Sequence, residues 1–160
     1  MPAILARLTL ALAMLTVAMS STAESVSSAG FRIEIEDGWV HRIEAASGSD
    51  HNWGDLIRIH RPDGPGLLSV RSFAAPRLVD PDVLRNLTNV PSATSLTFQR
   101  WGDYEGYQYD YVEGASFYRQ WWLANESTVI FITYQCDAEL SGLETDAIDR
   151  IVRSLNATTP

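Results

Sequence analysis
The chain has 160 residues, with twenty acids against twelve basic residues and a formal charge of -8 at neutral pH. Every basic residue is arginine, which excludes lysine Schiff bases, Walker-type phosphate loops and Ser/Lys dyads, since each needs an amine. So acidic a chain is also a poor partner for nucleic acid, whose binding rests on neutralising phosphates with basic side chains.

Residues 1–23 read as an export signal. Arg7 precedes the apolar run Leu8 to Met19, and Ser21-Thr22-Ala23 supplies the small residues that a signal peptidase reads. The run is shorter than the roughly 20 residues a spanning helix needs, so no stable membrane anchor is expected after cleavage. The mature protein then begins at Glu24, in the periplasm or outside the cell. Loss of Arg7 leaves eleven arginines against twenty acids, a formal charge of -9. The remaining length suits one domain, and the expected division is 1–23 signal peptide, 24–30 linker and 31–157 a single globular domain.

Cys136 is the only cysteine, so no intramolecular disulfide and no thiolate metal cluster can form. It closes the alternating run Ile130, Ile132, Tyr134 and reads as a small buried hydrophobe.

In chain order, Phe31-Arg32-Ile33-Glu34-Ile35 alternates apolar and charged residues, the mark of a half-buried strand. Asp37-Gly38 turns the chain, Trp39 to Glu44 reads as a short second strand, and Ala45 to Asp55 as a polar loop. Leu56 to His60 and Leu67 to Phe73 read as a hairpin about Asp63-Gly64-Pro65-Gly66. Asp80-Pro81 then offers a cap and a first-turn proline to a short helix running to about Asn89, which Pro91 stops. Leu96 to Trp101, Gly106 to Glu113, Phe117 to Ala124 and Thr128 to Cys136 follow as four strands with short links, an antiparallel meander. Leu143, Ala147, Ile148, Ile151, Val152 and Leu155 form one helical stripe, with Ser141 and Glu144 as a capping box and Asp146/Arg150 and Asp149/Arg153 as i,i+4 pairs. The sum is an α+β domain, an antiparallel sheet covered by helices.

Four stretches resemble a family. The Phe-x-Ile-x-Ile...Gly-Trp opening at Phe31 to Trp39, the Trp101...Tyr104-x-Gly106-Tyr107 turn, the run Arg119 to Tyr134 and the closing Ile148...Ser154-Leu155 are similar to the PsbP-like superfamily. That group includes the Ran-binding Mog proteins and bacterial DcrB-type proteins. The resemblance spans nearly the whole mature chain and implies an α/β/α sandwich around a central antiparallel sheet. It also implies a non-enzymatic binding or assembly task. Photosystem-subunit metal sites and Ran-contact residues have no matching position here.

The aromatic concentration from Trp101 to Tyr134, with Trp53 outside it, is the candidate binding surface. Trp53, Trp101, Tyr104, Tyr107, Trp121 and Trp122 are its candidate residues, although packing under the helices would use the same rings. Trp121 and Trp122 are adjacent, so in a strand they point to opposite faces. Tyr107, Tyr109 and Tyr111 share one face. The loop Asp50-His51-Asn52-Trp53-Gly54-Asp55 sets His51 among carboxylates, but its spacing matches no established metal loop, and neither a metal nor a cofactor is expected.

The expected function is that of an exported, non-enzymatic protein acting by protein–protein contact, as an inhibitor, an immunity-type factor or an envelope accessory factor. Its acidic surface favours a basic protein partner. Two alternatives differ in class. An envelope hydrolase would assemble His51 or His60 with an acid and a serine in space; a small-ligand carrier would need an apolar cavity among the aromatics.

Overall fold
A computed structural model describes residues 23–46, 53–88, 90 and 95–158. The export signal expected over residues 1–23, apart from Ala23, lies outside the described residues, as do His51 and the Pro91 stop.

Among the described residues, ten strands form two antiparallel sheets, accompanied by two α-helices. The larger sheet contains β3 (Val40–Glu44), β4 (Leu56–His60), β5 (Gly66–Ala74), β6 (Thr97–Trp101), β7 (Tyr104–Glu113), β8 (Ser116–Asn125) and β9 (Thr128–Asp137). Their spatial order is β3-β4-β5-β9-β8-β7-β6. The smaller sheet joins β1 (Glu24–Ser28) and β2 (Phe31–Ile35) to the two-residue β10 (Asn156–Ala157).

Side chains on a strand alternate between faces, and register carries that alternation across the sheet. Ile57 opposes Val70, Val70 opposes Ile132 and Ile132 opposes Trp121. All four are fully buried. This inner face meets Phe31, Ile33 and Ile35 of β2 together with Ile148, Ile151 and Val152 of α2 (Thr145–Arg153) in one core. Its edges are tied by polar contacts. The Tyr104 hydroxyl donates to the Gly30 carbonyl at 2.7 Å, and Ser72 Oγ donates to the Ala29 carbonyl at 2.7 Å. At the β6–β7 turn Gly102 has φ of +61°, and a Cβ there would stand 2.0 Å from the Leu155 carbonyl oxygen. Only glycine lets the turn close against the end of α2.

The opposite, outer face carries α1 (Pro81–Leu87), capped as expected: Asp80 Oδ1 accepts from the Val83 amide at 2.9 Å, with Pro81 in the first turn. Leu84 of α1 packs with Ala124 and Val129. The sandwich is therefore unequal. A small sheet and α2 roof the inner face, while one short helix lies on the outer face.

Three sequence expectations give way. Residues 24–28, assigned to a linker, form β1, and the linker's remaining residues belong to the β1–β2 turn; Val26 is the one residue of β1 that is buried, so backbone pairing carries the strand. The Ser141/Glu144 capping box is not made, because the Glu144 side chain is buried against Tyr134 and offers α2 no side-chain cap. Leu143 is 72% exposed and stands off the apolar stripe. The helix arginines also reach across elements. Arg150 forks onto Glu36, and Arg153 lies 4.4 Å from the centre of the Trp101 ring.

Candidate functional site
The outer face is built in cross-strand rows. One row runs Arg71, Phe131, Trp122, Tyr107, Phe98 across β5, β9, β8, β7 and β6. The next but one runs Leu67, Gln135, Tyr118, Tyr111. Directly opposed rings are close enough to interact. Trp122 and Phe131 stack at 4.4 Å, Tyr111 and Tyr118 at 4.9 Å, and Phe98 meets Tyr107 edge-on at 5.0 Å. Trp53 bridges to Phe73 and extends the band, with ring centres 5.0 Å from Phe73 and 6.5 Å from Trp122.

The helix on this face is small for the surface below it. Seven residues of α-helix span about 10 Å, whereas seven strands spaced at about 4.8 Å span roughly 29 Å. Helix α1 packs on β7 and β8. Trp53, Tyr107, Tyr111, Tyr118, Trp122 and Phe131 consequently remain half-buried, and Phe98 is 43% exposed. Tyr109, between the rows, is buried; its hydroxyl points at the Thr88 carbonyl, 3.0 Å away, and at Gln120. Burial holds the Tyr109 phenol above its ordinary range.

The six candidate residues thus divide. Trp53, Tyr107 and Trp122 come together on the outer band. Trp101, Tyr104 and Trp121 do not belong to a binding surface: all three are buried in the inner core, where Trp101 and Trp121 meet edge-to-face at 5.8 Å. The adjacent pair Trp121/Trp122 does point to opposite faces, and the inner one is the residue under the roof. Phe73 and Phe98 belong to the band but lie outside the candidate stretch Trp101 to Tyr134, and Phe131, inside that stretch, is not one of the six. Alternation from Trp122 through a β8–β9 hairpin register would have found Phe131; Phe73 and Phe98 needed the strand order.

The reactive groups are dispersed. Cys136 is buried and free. The hydrogen bonds among the described residues join His60 to no serine, cysteine or acid, and His41 Nδ1 stands 3.5 Å from Glu24 Oε2. The described residues contain no group of three or more His, Cys, Asp or Glu placed to hold a metal. No helix among them is long and apolar enough to cross a membrane. The cleft beside α1, about 190 Å³, is walled by Arg100, Asp103 and Glu105 as well as by Leu84 and Phe98.

Strand order and layering define an α+β fold in which two antiparallel sheets and a helix enclose one core. Solved structures similar to this chain include a protein of Bacteroides thetaiotaomicron VPI-5482, at 15% identity and TM-score 0.57, over 81% of this chain and 45% of that one. They also include LpqN, involved in cell envelope biogenesis of Mycobacterium tuberculosis, at 15% identity and TM-score 0.51, over 86% of this chain and 91% of that one. Cyanobacterial PsbP (CyanoP) of Synechocystis sp. PCC 6803 matches at 11% identity and TM-score 0.42, over 90% of this chain and 99% of that one. No protein-family model and no curated protein matches the chain.

Proposed function
We propose that the protein is an exported, non-catalytic accessory protein that binds a protein partner on the outer face of its larger sheet. The observation that carries this reading is the aromatic band left half-buried beside a helix too short to cover it. Tyr and Trp contribute most of the energy in protein–protein contacts because they bury large, stiff rings and keep a polar edge. Glu105 and Glu113 stand on the same face of β7, so basic residues on the partner would meet this rim, with encounter hastened at low salt. LpqN, which shares the fold, is described as involved in cell envelope biogenesis, and an envelope task agrees with the export signal read in residues 1–23.

Recovery of partners from an envelope extract tests the reading. The Tyr111→Ser/Tyr118→Ser double variant removes a stacked pair from the half-buried outer row and leaves the inner core intact. Loss of the partner with this variant, and weaker recovery by the parent in high salt, is the expected result. Equal recovery by parent and variant would remove the outer face from the binding function.

A further inference from the structure
We infer that a groove at the β3–β4–β5 end of the larger sheet binds an oxyanion, the phosphate or carboxylate group of a ligand, in the fork of Arg42, Arg58 and Arg61. The groove encloses about 680 Å³, and Arg42, Arg58, His60, Arg61, Leu67 and Asp137 are among its lining residues. Positive charge is concentrated here in a chain whose total is -8.

Register makes the concentration more than a surface accident. Arg42 and Arg58 sit directly opposite each other on neighbouring strands, a placement that is destabilising for like charges unless a counter-charge lies between them. Glu44 is the carboxylate in contact with both: Arg58 Nε stands 3.0 Å from Glu44 Oε1, and the Arg42 guanidinium donates to the same oxygen. One carboxylate oxygen therefore serves two guanidinium groups. Those bonds, Arg58's first, hold the Glu44 carboxyl below its ordinary range, so it is already committed as an anion. Arg61 adds a third cation at the start of the turn, beside His60. Among the lining residues the three arginines stand against one carboxylate, Asp137, while Glu44, outside the lining, contacts Arg42 and Arg58. Guanidinium forks recognise phosphate and carboxylate through paired N–H donors, and the volume lies in the range of small-ligand sites. The oxyanion could be carried by a free ligand or by the headgroup of an anionic lipid.

The test uses the mature chain with two probes, inorganic pyrophosphate for the free anion and phosphatidylglycerol vesicles for the lipid, with phosphatidylcholine vesicles as the neutral comparison. Calorimetric titration at constant ionic strength is expected to show saturable binding to at least one of the anionic probes. Each of Arg42→Gln and Arg61→Gln is expected to weaken it about tenfold. Both side chains are exposed, so the fold should tolerate these changes; Arg32→Gln, an equal loss of charge on the smaller sheet, should leave binding unchanged. Pyrophosphate binding would point to a free ligand, and binding to phosphatidylglycerol alone to a lipid headgroup. Absence of saturable binding to both, or equal weakening by Arg32→Gln, would overturn the inference.

Discussion

Tyr134 donates its phenolic hydrogen to Glu144, Oη to Oε2 at 3.0 Å, and both side chains are buried. The contact fastens β9 to the residue preceding α2. Glu144 Oε1 has no hydrogen-bond partner among the described residues, so the carboxyl group depends on this one donor. Tyr134→Phe would strip a buried acid of its support and should cost about 2 kcal/mol. The check is a urea titration, with a lowered midpoint and an unchanged slope. An unshifted midpoint would mean that another group solvates the carboxyl.

Gly66 faces the same tyrosine. A Cβ at that position would stand 2.2 Å from Tyr134 Cε2 and 2.3 Å from its Oη. Gly66→Ala should therefore cost about 2 to 3 kcal/mol through overpacking. Because part of the clash is with the hydroxyl, Gly66→Ala combined with Tyr134→Phe should lose less than the two single losses added together. Strict additivity in the same urea series would count against this packing.

The neighbouring tryptophans should separate in stability. Trp121→Ala opens a large cavity under the roof and should cost about 3 to 5 kcal/mol. Trp122, half-buried on the outer face, should cost about 1 to 3 kcal/mol on truncation. Equal losses in chemical denaturation would show the outer band to be ordinary core and would weaken the proposed binding face.

Alkaline pH should unfold the protein through its buried phenols. Burial, and then the neighbouring Asp103, push the Tyr104 hydroxyl from 10.0 up to about 12. Tyr134 is raised in the same direction, chiefly by burial and then by Cys136 and Glu144. A phenol whose folded pKa lies above its unfolded value supports the fold fully below the unfolded value, and that support is lost as pH climbs through the folded one. Urea midpoints should thus hold until pH nears 10.0 and fall toward about 12. Tyr104→Phe should flatten part of that fall.

The export reading of residues 1–23 predicts the N-terminus. Intact mass and N-terminal sequencing of the chain recovered from the envelope should place the first residue at Glu24, the first residue of β1. Cleavage a few residues later would remove strand pairing with β2 and should lower stability measurably. Recovery of residues 1–23 in the mature chain would reject the signal reading.

Much of the fold is legible in the sequence because inner-face positions are apolar at every second residue. Phe31, Ile33 and Ile35 announce β2, and Asp80-Pro81 announces α1. Strand β1 is not legible, since Glu-Ser-Val-Ser-Ser shows one apolar residue and forms through backbone pairing that periodicity does not record. Glu144 misleads for a related reason: its spacing from Ser141 suits a cap, yet its partner Tyr134 comes from another element. The candidate site is half legible. Adjacency of Trp121 and Trp122 requires opposite faces, but which one is roofed depends on where β2 and α2 settle. The arginine groove is invisible in sequence because Arg42 and Arg58 meet only through the β3–β4 register.

Cys136 is the single thiol of the chain and lies buried in the core beside Tyr134, at the border of the arginine groove. A thiol-reactive dye should modify so buried a thiol slowly, so the rate of colour development becomes a clock for local opening around it. That clock runs without any engineered label, and it would report directly whether a bound partner or anion keeps the molecule shut.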